Sequence, residues 1–323
     1  MIIGYRSDRD RLLPIKMPLE NPAEAMWIDL IDPTPEEDMV VEQATGMEVP
    51  TRDEMAEIEI SSRLYEHNGA IYLTALVLSN TEEQDFVLAP VTFVLGGNRL
   101  ITVRYHTPKP FKQFEVRAQK EGAGCSTAAK TLMTLLETIV DRLADTLERT
   151  ARDIDIVSSK VFGLRGAVKA KGRGYEGVLV DLGRQGDLSS AIRDSLVTLD
   201  RLSGFLTLTM QAQEKDKVLR ERLKTLARDI HSLADHTDFL SQKVTFLLDA
   251  TLGLINIEQN NIIKIFSIAA VVFLPPTLVA SVYGMNFQHM PELEWGYGYP
   301  LAIGLMVISA VLPLLYFRYR NWL

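Results

Sequence analysis

Cysteine occurs once in the 323 residues, as Cys125, which excludes an internal disulfide and any cysteine-based zinc site and suits a reducing compartment. Its surroundings read as a small buried position in a helix. Net positive charge is missing too: 34 Lys and Arg stand against 42 Asp and Glu, a formal charge of -8. No basic stripe with interleaved aromatics appears, so nucleic acid is not an expected partner. The one basic cluster, Lys169, Lys171 and Arg173, sits among Gly166, Gly172, Gly174 and Gly177 and reads as a solvated linker between helices. A glycine-rich phosphate loop, a nucleophile motif and metal-ligand spacing are all absent, so the chain is not expected to be an enzyme. His231 and His236 are five apart, do not share a helical face and read as surface residues. The start, Met1 to Asp10, has no basic and apolar secretory pattern, so the body that follows is expected to stay in the cytoplasm.

The most informative absence is of charge near the end. Ile265 to Val282 is 18 residues without a charge and Tyr297 to Phe317 is 21, each near the roughly 20 needed to span a bilayer. Neither run has a polar face, which argues for two transmembrane helices over two buried core helices. Lys264 precedes the first, Arg318 and Arg320 follow the second, and the loop from Gly284 to Gly296 has no Lys or Arg. By the positive-inside rule both termini are expected in the cytoplasm. The loop then faces outward with Glu292 and Glu294, which could concentrate cations at its mouth, although a plain solvated loop carries such charges as well.

Upstream, Met26 to Ile31 predicts a strand, and Thr34-Pro-Glu-Glu37 has capping-box spacing with Pro at the first helical position. Strands are expected at Ile71 to Leu78, Phe86 to Leu95 and Arg99 to Tyr105, the last two forming a hairpin through Gly96-Gly97-Asn98. The expected organisation is an α+β domain over 1–110, a long-helix stalk over 111–261, a first span over 262–283, a loop over 284–296, a second span over 297–317 and a basic tail over 318–323. Three long helices are expected from about residue 110 to the membrane. Leu132, Leu136, Ile139 and Leu143 line one face, and Ile192, Leu196, Leu199, Leu206 and Met210 line another. In the third helix Leu219, Leu223, Leu226, Ile230, Leu233, Leu240, Val244 and Leu247 form a heptad seam, with Thr237 in its one polar slot.

A second stripe lies roughly opposite that seam: Asp235, Gln242, Asp249, Asn256, Asn260, Ile263, Ser267, Ala270, Leu274, Thr277 and Ser281. It is polar or acidic in the water-facing part and small or apolar in the first span. If several copies of the helix surround an axis, this stripe lines a pore. Its acidic part alone would read equally well as a solvated face; its continuation in register into the membrane favours the pore.

Tyr283-Gly284-Met285-Asn286 after a proline-containing span, then Met290-Pro291-Glu292-Leu293, a short second span and Asn321-Trp322-Leu323 resemble the CorA family of magnesium and cobalt transporters. Asn256 to Ser267 and Phe273 to Ala280 resemble its enteric form. The resemblance implies a funnel-shaped homopentamer in the inner membrane, with five copies of the first span around the pore. It further implies Mg²⁺ as the transported and regulatory ion, and passage of Co²⁺ and Ni²⁺. Gly284, Met285 and Asn286 would form the selectivity filter. A ring of Asn286 carboxamides suits Mg²⁺, which keeps its waters and would be met by neutral oxygens accepting their hydrogen bonds. The same Asn286 could also serve as a helix C-cap. Asn260, Ile263, Ser267, Leu274, Thr277 and Asp249 would line the pore, with Ile263, Leu274 and Phe266 or Ser267 forming its narrow apolar stretch. Pro275-Pro276 suggests a kink beside it.

In some family members cytoplasmic Mg²⁺ closes the channel by bridging acidic residues of neighbouring subunits. Here Thr225 and Arg228 stand where one well-known form has acidic residues, so the expected regulatory site shifts to Glu82, Glu83, Asp85, Asp229, Asp235 and Asp238. Two alternatives are a zinc transporter of the same superfamily and a non-conducting, membrane-tethered cation sensor. The methionine of Gly-Met-Asn and the lack of a Cys or His cluster argue against the first, and the polar stripe crossing the bilayer argues against the second.

Overall fold

A computed structural model describes every residue except 16–23, 84, 164–172, 214–215, 287–289, 292–294 and 321–323. Glu292, Glu294, the terminal Asn321-Trp322-Leu323, and Lys169 and Lys171 with Gly166 and Gly172 therefore lie outside the described residues, as do the side chains of Arg173 and Met210.

The chain opens with β1 (Ile2–Asp8), β2 (Arg11–Pro14) and β3 (Trp27–Ile31), followed by α1 (Pro35–Thr45) and the short helices α2 (Arg52–Ala56) and α3 (Ile60–Arg63). Next come β4 (Leu64–His67), β5 (Ala70–Ser79), β6 (Val87–Gly96) and β7 (Arg99–Arg104). The remainder is helical: α4 (Lys109–Ala118), α5 (Ala128–Phe162), α6 (Arg173–Gln213), α7 (Lys217–Tyr283) and α8 (Gly298–Tyr319).

The expected start of α1 is as the sequence dictates. Thr34 accepts from the Glu37 N–H while the Glu37 carboxylate accepts from the Thr34 N–H, and Pro35 occupies the first turn. Gly46 closes the helix at a φ of 71°, where a side chain would be strained. The seven strands form one sheet in the order β2-β1-β3-β7-β6-β5-β4, parallel only between β3 and β7. The expected hairpin pairs Leu95 with Leu100 and Gly96 with Arg99.

The parallel pair is fastened below its backbone ladder. Asp29 on β3 and Arg104 on β7 are buried and bonded side by side, with N–O distances of 2.8 to 3.3 Å. Thr102 donates to Asp29 at 2.6 Å and accepts from the Trp27 indole at 3.1 Å. This arrangement satisfies a buried charge with a partner and further hydrogen bonds, as burial requires.

Two expectations are corrected. The helical region does not begin as a long helix near residue 110: α4 ends at Ala118, and Gly122 and Gly124, both with positive φ, turn the chain before α5. Cys125 is fully buried as expected, but it lies in this turn and not in a helix. Burial pushes its thiol up to about 11, so it is an inert thiol at neutral pH.

Contacts divide the chain into a unit of 1–169 with 177–248 and a second unit of 170–176 with 249–323. In the first, the predicted faces of α5 and α6 are buried at Leu132, Leu136, Ile139, Leu143, Ile192, Leu196, Leu199 and Leu206. The α7 seam is buried at Leu219, Leu223, Leu226, Ile230, Leu240, Val244, Leu247 and also Thr237, whose hydroxyl donates to the Leu233 carbonyl at 2.7 Å. The edge of β5 beyond β4 is closed by α6: Thr198 accepts from the Leu76 N–H at 3.0 Å and Ser195 donates to the Leu76 carbonyl at 2.6 Å. These hydroxyls take the place of a strand at an edge that would otherwise leave unpaired backbone.

Candidate ion pathway

The second unit holds the end of α7 and α8, two helices long and apolar enough to cross a membrane. Each has one shielded face. On α7 it runs through buried Ile268 and half-buried Val272, Pro275, Pro276, Val279 and Tyr283. On α8 it runs through buried Gly298 and Ala302 and half-buried Met306, Ser309, Pro313 and Phe317.

The stripe expected to line a pore lies on the other side of α7. Asp249, Asn256, Asn260, Ile263, Ser267, Ala270, Leu274, Thr277 and Ser281 are all exposed. Exposure by itself does not single them out, because Phe266, Phe273 and Leu278 beside them are about 70% exposed as well. Side-chain chemistry does. The flanks are bulky and apolar, suited to lipid or a neighbouring helix, whereas the stripe interleaves amides and hydroxyls with Ala270 and two apolar positions. Polar groups in a spanning helix are expensive unless they face protein or a water-filled path.

Pro275 and Pro276 have no N–H, so the carbonyls of Val271 and Val272 lose their usual helical donors, yet α7 runs through them unbroken. The Thr277 hydroxyl donates to the Phe273 carbonyl at 2.7 Å, adding a bond in the turn just past the prolines. Its proton is thereby spent inside the helix, and what remains toward the stripe is an acceptor oxygen.

Helix α7 ends at the motif. Gly284 donates to the Ala280 carbonyl at 2.9 Å and Met285 to the Val282 carbonyl at 3.3 Å. A Cβ on Gly284 would come within 3.0 Å of that Ala280 oxygen, tighter than side chains normally tolerate, which is a local reason for glycine here. Asn286 itself is exposed beyond the last turn with Met285.

The six acidic residues considered for regulation sit in different surroundings. Glu82 is met by Lys109, by Arg142 at 2.8 Å and by Arg149 at 3.6 Å. The hydrogen bonds from Lys109 and Arg142 hold its carboxyl down at about 2. Asp238 pairs with Arg193 at 2.7 Å, and Asp235 stands 4.0 Å from the His231 ring. The backbone carbonyl of Glu83 accepts from Arg184 at 2.7 Å, while Asp85 is exposed. Asp229 lines an open groove of about 600 Å³ between α5 and α7 with Thr225, Glu137, Asp141 and Glu221. Burial raises the Asp141 carboxyl there. Among the described residues of this one chain, no three His, Cys, Asp or Glu side chains converge as a metal site. The sequence reading missed the basic side chains around Glu82 because they lie 27 to 67 residues away along the chain.

Residues 22–319 match the family model described as CorA-like Mg2+ transporter protein. The chain belongs to this family. It is 36% identical over its full length, and over the full length of the relative, to the magnesium transport protein CorA of Escherichia coli K12. Among solved structures it resembles the complete CorA magnesium transporter of Methanocaldococcus jannaschii, with a TM-score of 0.73 at 19% identity over 100% of this chain and 99% of that one. The cytoplasmic domain of ZntB from Vibrio parahaemolyticus shares the fold more distantly, with a TM-score of 0.57 at 10% identity over 79% of this chain and 97% of that one. The CorA-family architecture of a soluble domain, long helices and two apolar C-terminal helices is thus the one seen here, with the membrane-crossing segments in the apolar end of α7 and in α8.

Proposed function

We propose that this chain forms a Mg²⁺ channel of the inner membrane, five copies surrounding an axis lined by α7, with both termini in the cytoplasm. Hydrated Mg²⁺, and also Co²⁺ and Ni²⁺, enters past the loop carrying Glu292 and Glu294. It is selected at a ring of Gly284, Met285 and Asn286. Asn286 offers neutral carboxamide oxygens to the waters of the ion, which orients it without a fixed charge that would hold it. Below, the acceptor oxygen of Thr277 and the amide of Asn260 give further stations. Leu274, Ser267 and Ile263 form the narrow part between them, which gates by excluding water. Asp249 adds an acidic ring at the inner end. Internal Mg²⁺ closes the channel, and Glu83, Asp85, Asp229 and Asp235 remain candidates for its regulatory contacts between copies; Glu82 and Asp238 already hold cationic side chains.

The observation that carries this reading is the polar, small-residue stripe on the exposed side of α7, ending at a tightly closed Gly284. The test is Mg²⁺ influx into liposomes holding the purified protein, read by an internal Mg²⁺ dye under an inward-negative potential. Wild type is expected to conduct and Asn286→Ala to lose most of the Mg²⁺ influx. No influx from folded, correctly oriented protein would favour a non-conducting cation sensor, and influx of Zn²⁺ alone a zinc transporter.

A further inference from the structure

The loop between β5 and β6 lays a single carboxylate among several cations. Glu82 pairs with Lys109 in the first turn of α4, with Arg142 of α5 at 2.8 Å and with Arg149 of α5 at 3.6 Å. Arg142 and Arg149 are two turns apart and so share one face of α5. A fourth cation, Arg184 of α6, reaches the same loop and donates to the Glu83 carbonyl at 2.7 Å. Among the described residues no second carboxylate pairs with any of the four, although Glu83 and Asp85 lie in the same loop. Three cations on one carboxylate leave two positive charges without an anion. The deepest of the three, Arg142, has a side chain only 16% exposed, so this charge is held largely out of water, where a counter-charge matters most.

The cations are placed by elements that do not need the loop for their shape. Helix α5 is anchored beside them by buried Leu143, Thr146 and Thr150, and α4 by buried Pro110, Phe111 and Phe114. Lys109, Pro110, Arg142 and Thr146 line one narrow crevice with Asn80 and Thr81. No side chain caps the start of α4, so the positive end of its dipole adds to the charge of Lys109 there. Arg149 also donates to the Thr81 carbonyl and hydroxyl at 3.1 Å, which holds the base of the loop whether or not Glu82 is bound. Glu82 itself is about half exposed, and ion pairs of that kind are weak and readily exchanged.

We propose that Lys109, Arg142 and Arg149 form a binding site for a dianionic phosphate group, free or carried by a nucleotide, and that Glu82 fills it as a tethered stand-in. A phosphate brings the second negative charge that the carboxylate lacks. It also brings a third acceptor oxygen, so that two guanidinium forks and an ammonium can all be met at once. On binding it displaces the Glu82 side chain, while Arg149 on Thr81 and Arg184 on the Glu83 carbonyl keep the loop attached at either side. The tethered carboxylate competes at high effective concentration, which lowers the apparent affinity of the intact chain. The site lies wholly in the first unit and does not depend on whether the chain conducts.

The test is calorimetric titration of the full-length protein in detergent with inorganic phosphate, at about pH 8, where phosphate carries two charges. EDTA removes metal ions, and chloride keeps the ionic strength constant. Glu82→Gln is expected to bind phosphate at least about tenfold more tightly than wild type, because the tethered competitor is gone. Adding Lys109→Gln or Arg142→Gln to Glu82→Gln is expected to weaken that binding by at least about tenfold, since each removes a charge-assisted contact. Lys109 is about half exposed, so its variant keeps the test valid if the more buried Arg142→Gln fails to fold, which a circular dichroism melt reports. Adenosine triphosphate binding at least about tenfold more tightly than phosphate assigns the site to nucleotides, and any smaller preference assigns it to the phosphate group alone. No saturable phosphate binding by folded Glu82→Gln overturns the site, as does binding that the folded Lys109→Gln addition leaves unchanged. Equal affinity in wild type and Glu82→Gln overturns the stand-in. The titration reads no ion flux, so a chain that binds phosphate without conducting sinks the channel reading and leaves this site standing.

Discussion

The sheet unit and the membrane unit use the same kinds of side chain in opposite ways. Trp27, Ile28 and Leu30 on β3 are completely buried, and Ile28 and Leu30 share one core with Val94, Ile101 and Val103 of β6 and β7. In the second unit Phe266, Phe273 and Leu274 are 66 to 71% exposed. Leaving one such side chain in water forgoes roughly 1.5–3 kcal/mol, so a water-facing surface of this kind would be untenable across two helices. The first unit is folded for water and the second for lipid. Backbone needs follow the same division: the sheet borrows hydroxyls from α6 to finish an edge, whereas α7 carries its prolines with a hydroxyl from its own next turn.

The sharpest way to break this comparison is to place one charge at equal exposure in each unit. Ile308, 55% exposed near the middle of α8, and Val180, 68% exposed on α6, look alike by accessibility. Arginine at the centre of a spanning helix costs about 2.5–3.5 kcal/mol on insertion scales. Ile308→Arg is therefore expected to lose most of the membrane-inserted protein in a fractionation assay, while Val180→Arg changes stability by no more than about 0.5 kcal/mol, as exposed sites generally do. Equal behaviour of the two would show that the second unit does not face lipid at α8.

Next in size is the buried pair that holds β3 to β7. Asp29→Ala leaves Arg104 charged, buried and unpaired, which costs about 3–5 kcal/mol. The expected readout is a large fall in the thermal midpoint of the sheet unit by circular dichroism, with α7 and α8 still inserted. Replacing both partners together, Asp29→Leu with Arg104→Met, is expected to recover much of the loss, because the pair's desolvation disappears along with its attraction. A double variant as unstable as the single one would mean that the charges do more than satisfy each other.

The two units also differ in how far the sequence alone discloses them. In the second, absence of charge and a 3.5-residue register were enough to find both spans and the stripe, because a bilayer imposes a long, one-sided pattern. In the first, β5, β6, β7 and the capped start of α1 were legible from local signals, but β1, β2 and β4 were not. The last two are four-residue edge strands, and β1 carries Arg6 and Asp8 where a core strand would alternate. The break between α4 and α5 was missed because its glycines were not weighed against the helical period on either side. The pairing of Glu82 in the acidic loop after β5 was not legible, because its basic partners are distant in sequence. The Gly284 contact with the Ala280 carbonyl is likewise a matter of close approach that composition does not carry.

That loop gives the smallest and most specific effect. Glu82 is about half exposed, so its pairs with Lys109, Arg142 and Arg149 are screened by solvent and salt. Its carboxyl is nonetheless lowered from 4.5 to about 2 in the folded protein, chiefly by the hydrogen bonds from Lys109 and Arg142. A folded-state pKa below the unfolded one stabilises the protein above the unfolded value and ceases to do so as the pH falls through the folded value. Glu82→Gln is accordingly expected to lower the melting temperature slightly and by a constant amount at neutral pH. The gap from wild type should narrow as the pH drops from 4.5 towards 2 and shrink in high salt. If Glu82 were instead held free for Mg²⁺, wild type would gain stability over Glu82→Gln on adding Mg²⁺ at neutral pH. With three basic side chains already on the carboxylate, the expected result is that added Mg²⁺ leaves the gap unchanged.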